Sequence, residues 1–307
     1  MASLNPDLSI IIVNFNTKQL LYECLDSIQS KVKEITYEVF VVDNASIDGS
    51  AEMVEREFPW VKLIKNKENL GFAKANNQAI GKAKGEIILL LNSDTLIIDN
   101  NIKPLLTFMK NHKNVGIVGC KVLDENGNLS YTAINFPDLI SEWWFFSYDI
   151  IRRILNVSFY KKYKGINYDK ISPVDWVSGC AFFIKKEVIK KIGMLDENFF
   201  LYYEDTEYCY RAKKAGFEVI YYPFYKILHY RGKSGDPINF KTLIYCFNSS
   251  CYYFQKTHGY LYAKIFKTMC KINWLVNISF LLSFGLTTKH PKIFKKLNMF
   301  KTLFKYT

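Results

Sequence analysis

Four clusters of polar side chains are the part of this sequence best suited to binding and catalysis. Three of them directly follow short apolar runs, and these are Asn14-Phe15-Asn16, Asp43-Asn44-Ala45-Ser46 and Asn92-Ser93-Asp94. The fourth is the pair Glu204-Asp205, which follows the aromatic-rich segment 199–203. An apolar wall raises the pKa of a nearby carboxyl group and suits it to act as a general base. The residues therefore predict a functional cleft in which one of these acidic side chains is a candidate catalytic group.

Local structure alone offers a second explanation for each cluster. Turn formation and helix capping would account for any one of the three polar clusters. Glu204 and Glu207 would be favoured at the start of a helix over 205–215, where the helix dipole attracts negative charge. His229 precedes a polar, glycine-containing loop, and it is suited either to a metal or phosphate contact or to a structural role. Both interpretations stay open at the level of the residues.

The polar clusters need elements that position them, and the chain up to residue 120 alternates between strand and helix patterns. Short apolar, β-branched runs predict strands over 8–14, 37–42, 61–65, 86–91 and 115–120. Helical spacing of apolar residues predicts helices over 17–30, 46–58, 71–83 and 101–111. This alternation is typical of the α/β class, with a mostly parallel sheet flanked by helices. Ligands of such sheets bind beyond the carboxyl ends of the strands, where three polar clusters fall.

The region from 121 to 236 is less regular and is expected to form the second half of the same domain. The aromatic segment 142–157 predicts a buried helix or a lid on the cleft. A strand with a glycine interruption is predicted over 174–184, followed by a helix over 185–192. A helix over 205–215 and a strand over 219–222 complete the prediction, which makes 1–236 one catalytic domain.

The charge of the chain lies almost wholly in its C-terminal segment. The 307 residues carry 41 Lys and Arg against 29 Asp and Glu, a net charge of +12. Residues 237–307 contain eleven Lys and no Arg, Asp or Glu, which leaves 30 basic and 29 acidic residues in 1–236. The most apolar stretch, 272–286, has fifteen residues, short of the roughly 20 that a spanning helix needs. We expect a basic, helical appendage that docks on a membrane surface, with a lysine-rich subdomain as the alternative.

Several classes of function are disfavoured by the sequence. No GxGxxG follows the first strand and no GxxxxGK[ST] occurs, which argues against a nicotinamide enzyme or a P-loop NTPase. A nucleic-acid partner is not expected, because the excess charge is confined to the tail and the body lacks a nucleic-acid-binding signature. The N-terminus lacks the pattern of a cleavable signal. The seven scattered cysteines fit a reducing cytosol, so we expect a cytoplasmic protein peripheral to the inner face of the cell membrane.

Over about residues 8–235 the chain resembles glycosyltransferase family 2, with the GT-A fold, and within it the rhamnosyltransferase-like branch. The segments that carry the resemblance are SIIIVNFN at 9–16, VVDNASIDGS at 41–50, NLGFAKANNQAI at 69–80, LLLNSDT at 89–95 and the long segment 176–217. Their order along the chain makes the resemblance specific. It implies transfer of a sugar from a nucleotide-sugar donor to an acceptor hydroxyl, usually with inversion.

The resemblance also implies roles for individual residues. The implied donor-binding residues are Asn14, Asn16, Asp43, Asn44, Ser46, Asn69, Gly71, Phe72, Lys74, Asn92 and Ser93. Asp94 belongs to the match with the metal-binding triplet, which implies a divalent cation, Mg²⁺ or Mn²⁺. His229 matches a position that often supplies a further contact to the metal or the diphosphate, and Asp205 in the pair with Glu204 matches the general base. Trp176, Gly179 and Tyr203 fall on the expected acceptor side. This chain departs from the family pattern at Asn92, which replaces the first acid of the metal-binding triplet, so Asp94 is the one carboxylate ligand expected there.

The implied chemistry is consistent with these residue types. A divalent cation stabilises the charge that develops on a diphosphate leaving group, and a base on the opposite face activates the acceptor hydroxyl. The leading donor is dTDP-rhamnose, and the branch points to a glycan or polyprenyl-diphosphate-linked acceptor in cell-surface polysaccharide synthesis. UDP-galactose, UDP-glucose, an N-acetylated sugar donor, or a non-catalytic partner of another enzyme stay open as alternatives.

Overall fold

The computed structural model describes residues 5–146, 166–230, 240–288 and 291–306. The chain divides into two compact units, of which the first comprises Met1–Asn135 and Gly165–Pro237. The second comprises Phe136–Lys164 and Ile238–Thr307. The sequence predicts a helix or lid over 142–157. Its described part, 142–146, belongs to the second unit together with the C-terminal helices, and the rest lies outside the described residues. The polar loop that follows His229 at 231–239 also lies outside them.

The first unit is built on a mixed sheet. Its strands are β1 (Leu8–Asn14), β2 (Tyr37–Asp43), β3 (Lys62–Lys65), β4 (Ile87–Asn92), β5 (Thr95–Ile97), β6 (Val115–Leu123), β7 (Leu129–Ser130), β9 (Ser172–Pro173), β11 (Ala181–Lys185) and β12 (Glu218–His229). Two further short strands, β8 (Ala133–Ile134) and β10 (Trp176–Val177), pair with each other. The helices of this unit are α1 (Lys18–Lys31), α2 (Ser50–Glu57), α3 (Phe72–Ile80), α4 (Lys103–Asn111), α6 (Lys186–Ile192) and α7 (Glu204–Lys214).

Among the described residues, the strand order along the main path of the sheet is β3-β2-β1-β4-β11-β6-β12-β5. β3, β2, β1 and β4 are parallel, and β6 and β12 are parallel to each other. β11 lies between β4 and β6 and runs antiparallel to both. The expected mostly parallel sheet with flanking helices is therefore confirmed, with β11 and β5 as the reversed strands of that path.

The central strands are apolar on both faces because helices cover both sides of the sheet. Ile10, Ile11 and Ile12 in β1 are each fully buried, and Leu89, Leu90 and Leu91 in β4 are 1% exposed. This continuous burial explains why the apolar runs in the sequence predicted these strands correctly. A sheet with such a core holds the carboxyl ends of β1, β2 and β4 in fixed positions, and the polar clusters follow directly after them.

Several boundaries differ from the sequence-based predictions, each for a local reason. α2 begins at Ser50 and not at 46, because Ala45 and Gly49 have left-handed φ values of 63° and 79° that keep 44–49 in a loop. The strand predicted over 174–184 is two strands, β10 and β11, separated by a turn at Ser178-Gly179-Cys180. β12 continues past the predicted 222 to His229, with a register shift between Tyr222 and Lys226.

The second unit consists of helices among the described residues: α5 (Leu139–Phe146), α8 (Phe240–His258), α9 (Tyr260–Thr288) and α10 (Pro291–Tyr306). Aromatic side chains form its interior, where Phe247 stacks on Phe266 with ring centroids 5.7 Å apart. The fully buried Trp274 packs on Phe247 and donates from Nε1 to the Phe146 carbonyl at 3.3 Å. The expected helical C-terminal appendage is thus present.

The apolar stretch 272–286 belongs to a helix that is much longer than fifteen residues. α9 spans 29 residues, and its segment Tyr260–Ser283 has the length and mean hydropathy, 1.2, of a membrane span. The expectation that this stretch is too short to span a membrane is therefore wrong with respect to length, because the helix that contains it is long enough. About a third, 35%, of the apolar window within this segment is buried inside the structure.

Candidate active site

Three of the predicted polar clusters meet at one edge of the sheet. In the strand register Asn14 of β1 is paired with Asp43 of β2, and Val13 is paired with Asn92 of β4. The carboxyl ends of these parallel strands are therefore adjacent, as expected of a ligand-binding edge. The turn after β4 places Ser93 and Asp94 at the same edge, both of them buried.

A hydrogen-bond network behind the cleft fixes the first two clusters. Asn14 donates from Nδ2 to Asp43 Oδ1 at 2.9 Å and to Ser46 Oγ at 3.0 Å. The backbone N–H of Ser46 donates to Asp43 Oδ2 at 3.0 Å, so the Asp43 carboxylate is held from two sides. Because Asn14 has no exposed surface, its place is behind the cleft, where it positions Asp43 and Ser46.

Thr17 is part of the same network, although the sequence analysis treated it only as the start of a helix. Its hydroxyl donates to Asn14 Oδ1 at 2.5 Å and lies 2.9 Å from Ser93 Oγ. Thr17 therefore connects the end of β1 with the turn after β4. Its position directly after Asn14-Phe15-Asn16 is the signal that would have included it. Asn16 accepts at Oδ1 from the Ile47 N–H at 2.8 Å and stays exposed beside the loop.

The start of α3 is attached to the loop that carries the acidic pair. Gly71 donates its N–H to Asn69 Oδ1 at 2.9 Å, and its carbonyl accepts from Asn44 Nδ2 at 3.1 Å. The N–H of Phe72 donates to the Phe200 carbonyl at 2.8 Å. These bonds bring the predicted donor-framing segment against Phe200, a contact that the sequence analysis did not foresee. Lys74 lies on the exposed side of α3, away from these contacts.

Gly71 leaves no room for a side chain, which gives a testable prediction. Its φ is +79°, and a Cβ atom there would lie 2.4 Å from the Phe200 carbonyl oxygen. We expect Gly71→Ala to lower the free energy of unfolding by at least about 2 kcal/mol and to weaken donor binding. Alanine disfavours the positive φ, and its Cβ atom would clash with the Phe200 carbonyl oxygen. Chemical denaturation measures the first effect. Gly127→Ala is the matched control, since Gly127 has a φ of +80° and no atom within 4 Å of its Cβ position; equal losses would contradict the role of the Phe200 contact.

The acidic triplet and His229 form a second cluster at the end of β4. His229 Nε2 lies 3.1 Å from Asp94 Oδ1 and 3.5 Å from Asn92 Nδ2. The strand pairing of His229 with Thr95 and the bond from Tyr230 N–H to the Asp94 carbonyl, 2.9 Å, hold the end of β12 against this turn. Burial lowers the pKa of His229, but hydrogen bonds and charge interactions with Asp94 and Cys180 together outweigh burial and raise that pKa to about 10.

These residues fit a divalent cation in the chemistry of their donors. The buried Asp94 carboxylate stabilises positive charge on His229, and the same field favours a metal ion. No group of three His, Cys, Asp or Glu side chains suited to a metal occurs within the described ranges. Mg²⁺ is commonly bound through one or two carboxylates together with substrate phosphates, so Asp94 with His229 would supply the protein's share of such a site.

The acidic pair Glu204-Asp205 lies at the start of α7, and the two residues before it have a strained backbone conformation. Tyr202 and Tyr203 both have left-handed φ values, 67° and 68°, which are uncommon for residues other than glycine. Asp205 accepts at Oδ2 from the Gly179 N–H at 2.7 Å and at Oδ1 from the Thr206 N–H at 2.6 Å. Burial raises the pKa of Asp205, while these donors act in the opposite direction. A raised pKa with a fixed carboxylate is the arrangement that general-base catalysis requires.

Antiparallel β11 explains why Gly179 reaches Asp205 at this edge. Its first residues lie beside the end of β4, where the Asn92 N–H donates to the Cys180 carbonyl at 3.1 Å. A Cβ atom on Gly179 would lie 3.4 Å from the Phe72 ring and 3.5 Å from Asp205 Oδ2. Gly179 therefore separates the acid from the donor-framing segment. Trp176 in β10 donates from Nε1 to the Asn135 carbonyl at 3.2 Å, which fixes its indole in the second sheet.

The other acids near the start of α7 have different environments. Glu207 is fully buried and binds Arg211 Nε through both oxygens, at 2.7 and 2.9 Å, so it serves the structure of the helix. Glu204 is 5% exposed, and its Oε2 atom has no hydrogen-bond partner in the part of the chain that the structure describes. Burial and the neighbouring Asp205 charge raise the pKa of Glu204 well above its ordinary value.

This pKa gives a pH-dependent prediction for stability. A carboxyl whose pKa is raised on folding contributes stability below its unfolded pKa, and that contribution is lost as the pH rises through the folded pKa. We expect Glu204→Gln and the wild type to have the same free energy of unfolding near pH 4, where Glu204 is protonated. At pH 8 the free energy of unfolding of the variant should be about 1–3 kcal/mol higher than that of the wild type. Urea unfolding at both pH values measures the difference. The exposed Glu218 provides the control, and an equal response of Glu218→Gln and Glu204→Gln would contradict the assignment.

A cavity of about 180 Å³ lies where these clusters meet. Seven of the predicted residues line it, namely Asn44, Asn69, Gly71, Phe72, Asn92, Ser93 and Asp94. The remaining lining residues are Val13, Phe15, Thr17, Phe200 and Leu201, so one wall is apolar. Asn14, Asp43 and Ser46 support the cavity from behind, and Asp205 lies beyond Gly179. Lys74, Trp176 and Tyr203 are absent from its lining in the described ranges.

Comparisons with known proteins place this site in a family. The family model described as "Glycosyl transferase family 2" matches residues 9–193, more than half of the chain. The N-acetylglucosaminyl-diphospho-decaprenol L-rhamnosyltransferase of Mycobacterium tuberculosis is 25% identical over 246 residues, which cover 74% of this chain and 77% of the relative. The dTDP-rhamnosyl transferase RfbF of Shigella flexneri is 29% identical over 232 residues, covering 74% of this chain and 70% of the relative.

A solved structure shares the fold. The mannosyltransferase of Pyrobaculum calidifontis, solved with GDP-Man and Mn²⁺, superposes with a TM-score of 0.56 at 16% identity and covers 99% of this chain and 86% of its own. At that identity the likeness shows the GT-A architecture alone. The ordered motifs, the sheet edge and the family match agree. The chain belongs to glycosyl transferase family 2, in its rhamnosyltransferase-like branch, and is a glycosyltransferase of the GT-A fold.

Proposed function

We propose that this glycosyltransferase moves rhamnose from dTDP-rhamnose to an acceptor hydroxyl, with inversion at the sugar carbon. The observation that carries the proposal is the position of Asp205. Its carboxylate is held by the Gly179 N–H at 2.7 Å, beside Phe72, whose ring lines the cavity that Asp94 also lines. A base and a leaving-group site at one edge of the sheet are what a single displacement needs.

The nucleotide is expected at the ends of β1 and β2. Asp43 is fixed there by Asn14 and Ser46, so its orientation does not have to be set by the ligand. Phe15 is 43% exposed and lines the cavity, which offers an aromatic face to a nucleobase. Asn44 and Asn69 add amide groups to the same wall. This arrangement supports nucleoside recognition by preset polar groups and one flat apolar surface.

A divalent cation would be held by Asp94 and His229 together with the diphosphate. When bound, it stabilises the negative charge that develops on the leaving group. Asn92 contributes an amide in place of a second carboxylate, so the protein supplies less negative charge than a triplet with two acids. We therefore propose Mg²⁺ or Mn²⁺ as the cofactor.

On the acceptor side, Asp205 takes the proton from the attacking hydroxyl. Its raised pKa keeps it a competent base near neutral pH, and the Gly179 and Thr206 donors keep the carboxylate oriented. Tyr203 precedes the pair, and Trp176 and Gly179 precede β11, so these residues are proposed to border the acceptor. The base and the leaving group then lie on opposite faces of the sugar, which produces inversion.

The character of the cavity wall supports a 6-deoxy sugar. Phe72, Phe200 and Leu201 line one wall, and the methyl group of rhamnose gains from apolar contact where a hydroxymethyl group would lose hydrogen bonds. Two of the related proteins are named as rhamnosyltransferases. One of them is named for a decaprenol-diphosphate acceptor. We propose a polyprenyl-diphosphate-linked glycan acceptor, with the protein cytoplasmic and peripheral to the inner face of the cell membrane.

A donor panel tests the proposed function. The purified full-length chain is mixed with dTDP-rhamnose, UDP-galactose, UDP-glucose or UDP-N-acetylglucosamine, with Mn²⁺ or with EDTA. We expect dTDP-rhamnose to give the largest thermal shift and the fastest metal-dependent release of nucleotide. Nuclear magnetic resonance of the product with a polyprenyl-diphosphate-linked acceptor reports the anomeric configuration.

The outcomes of this panel are distinct. A preference for UDP-galactose or UDP-glucose would overturn the assignment of rhamnose while keeping the transferase assignment. Release of nucleotide that is equal with EDTA and with Mn²⁺ would overturn the metal requirement. A product with retained configuration would overturn the single displacement through Asp205.

A further inference from the structure

The long helix of the second unit, α9, has an unusual distribution of side chains between its buried and exposed faces. Six large aliphatic residues on it are 44–69% exposed, and we call them the aliphatic stripe: Leu261, Ile265, Ile272, Leu275, Val276 and Leu282. On the same helix Asn273 and Asn277 are 4% and 2% exposed. Polar side chains are thus turned inward and aliphatic ones outward.

The stripe follows the geometry of one helix face. Its members recur at intervals of three and four residues, with Thr268 and Ser279 completing the row, so they share one side of the helix. The opposite side is buried in the second unit through Ala263, Phe266, Cys270, Trp274 and Leu281. Trp143 also donates from Nε1 to the Met269 carbonyl at 3.2 Å, which fixes the rotation of α9 about its axis.

The buried polar residues satisfy part of their needs within the helix. Asn277 donates from Nδ2 to the Asn273 carbonyl at 2.8 Å and to Asn273 Oδ1 at 2.9 Å. Contiguous exposed aliphatic surface of this kind marks an interaction site on a soluble protein. Among the described residues, α5, α8 and α10 pack on α9, and the stripe is the part of its surface that they leave exposed.

The charges around the stripe indicate what that partner is. Lys264, Lys267 and Lys271 follow the same spacing along one flank of the stripe. The whole segment 237–307 carries eleven Lys and no acidic residue. Lysine stems lie along apolar surface while their ammonium groups reach toward anionic phosphates. An aliphatic face with a lysine flank and no acid is complementary to an anionic lipid bilayer.

The length of the lysine-free part distinguishes lying on a bilayer from crossing it. After Lys271 the helix continues without a lysine over 272–288, about 26 Å at 1.5 Å per residue. A bilayer hydrocarbon core is about 30 Å thick. Crossing would also place Asn273, Asn277 and the packed aromatic residues of α5 and α8 in lipid. The helix is therefore suited to lie in the plane of the interface with one face immersed.

We propose that the aliphatic stripe of α9 is an in-plane binding surface for anionic lipid bilayers, with the exposed Lys264 and Lys267 contacting headgroup phosphates. This inference deepens the membrane association in the proposed function and rests on it for the place of the acceptor. The binding itself needs neither donor nor acceptor. Its failure is therefore distinguishable from failure of the transferase assignment.

Vesicle flotation of the full-length chain tests the stripe. The vesicles contain phosphatidylcholine alone or phosphatidylcholine mixed with phosphatidylglycerol. We expect strong flotation with the anionic vesicles and a partition coefficient at least about 10-fold lower for the triple variant Ile272→Ser, Leu275→Ser, Val276→Ser. The control variant is Ile98→Ser, Ile171→Ser, Phe224→Ser, which removes apolar groups that are 40%, 39% and 60% exposed in the first unit. It should float like the wild type.

A second variant tests the charge. Lys264→Gln with Lys267→Gln should lower flotation on anionic vesicles about 10-fold and leave the residual binding to neutral vesicles unchanged. Lys33→Gln with Lys82→Gln, exposed lysines of the first unit, is its control. All variants should retain donor-induced thermal shifts, which shows that they are folded.

Three results would overturn the proposal. The first is equal flotation on neutral and anionic vesicles, and the second is unchanged flotation of the triple stripe variant. The third is a wild-type dimer in size-exclusion chromatography that the stripe variant breaks while its flotation persists, because the stripe would then bind a second copy of the chain.

Discussion

Replacing Asp205 by Asn should abolish sugar transfer while the donor still binds. We expect the turnover number to fall by about 10²–10⁴-fold, the range for loss of a positioned general base. The donor dissociation constant should change little, because the cavity-lining residues do not include Asp205. Calorimetric titration with dTDP-rhamnose and an acceptor assay measure the two quantities.

The control for this variant is Asp175→Asn. Asp175 is an aspartate of the same unit whose carboxylate binds Lys213 at 2.5 Å outside the cleft. It should keep full turnover. Near-normal turnover of Asp205→Asn would show that the acid only orients Gly179 and the start of α7. In the wild type, burial raises the pKa of Asp205, so activity should be present above that pKa and be lost on acidification earlier than for an exposed aspartate.

Replacing Asp94 by Asn should remove the response to divalent cations. We expect kcat/KM to fall by about 10²–10³-fold, the scale for loss of one preset charge-stabilising group at a reacting centre. In the wild type EDTA should lower the rate, whereas in the variant EDTA should have little further effect. Binding of Mn²⁺ in the presence of dTDP, measured by electron paramagnetic resonance, gives a readout independent of turnover.

Stability has to be followed for the same variant. Asp94 is 1% exposed and paired with His229 at 3.1 Å, and loss of one partner of a buried pair costs about 3–5 kcal/mol. Thermal unfolding therefore accompanies the kinetic assay. Asp99→Asn is the control, since Asp99 follows the same turn but lies outside the cavity lining. A folded Asp94→Asn enzyme that Mn²⁺ still stimulates would contradict the metal assignment.

The fold of the first unit was largely predictable because its strands are buried on both faces. Runs such as 10–13 and 87–91 contain no polar residue, and the strands are followed by Asn and Asp residues that cannot continue a buried strand. The reversal of β11 was not predictable. Its sequence, Ala181–Lys185, is as apolar as a parallel strand, and strand direction depends on long-range pairing with β4 and β6.

For the candidate site, residue type and position after a strand were informative, whereas side-chain direction was not. Asp94 and Asn92 line the cavity as expected. Asn14 carries the same signal but is turned inward by its bonds to Asp43 and Ser46. Thr17 and Phe200 were missed because their contributions come from partners distant in sequence. The aliphatic stripe of α9 was not predicted, because composition does not show which side of a helix its neighbours cover.

The residues that lead into the reversed strand β11 also connect the proposed base with the proposed leaving-group site. Asp205 is bonded to Gly179, the next residue Cys180 is bonded to Asn92, and Asn92 begins the triplet that would face the diphosphate. The Asp205 carboxylate is thus held at a set separation from the end of β4 by one side-chain bond, to Gly179, and one main-chain bond, between Asn92 and Cys180. Loops that choose the sugar and the acceptor can diverge in evolution without altering this separation. Changes of specificity are therefore expected to accumulate in 199–203 and around 176, while the geometry of the displacement is inherited unchanged.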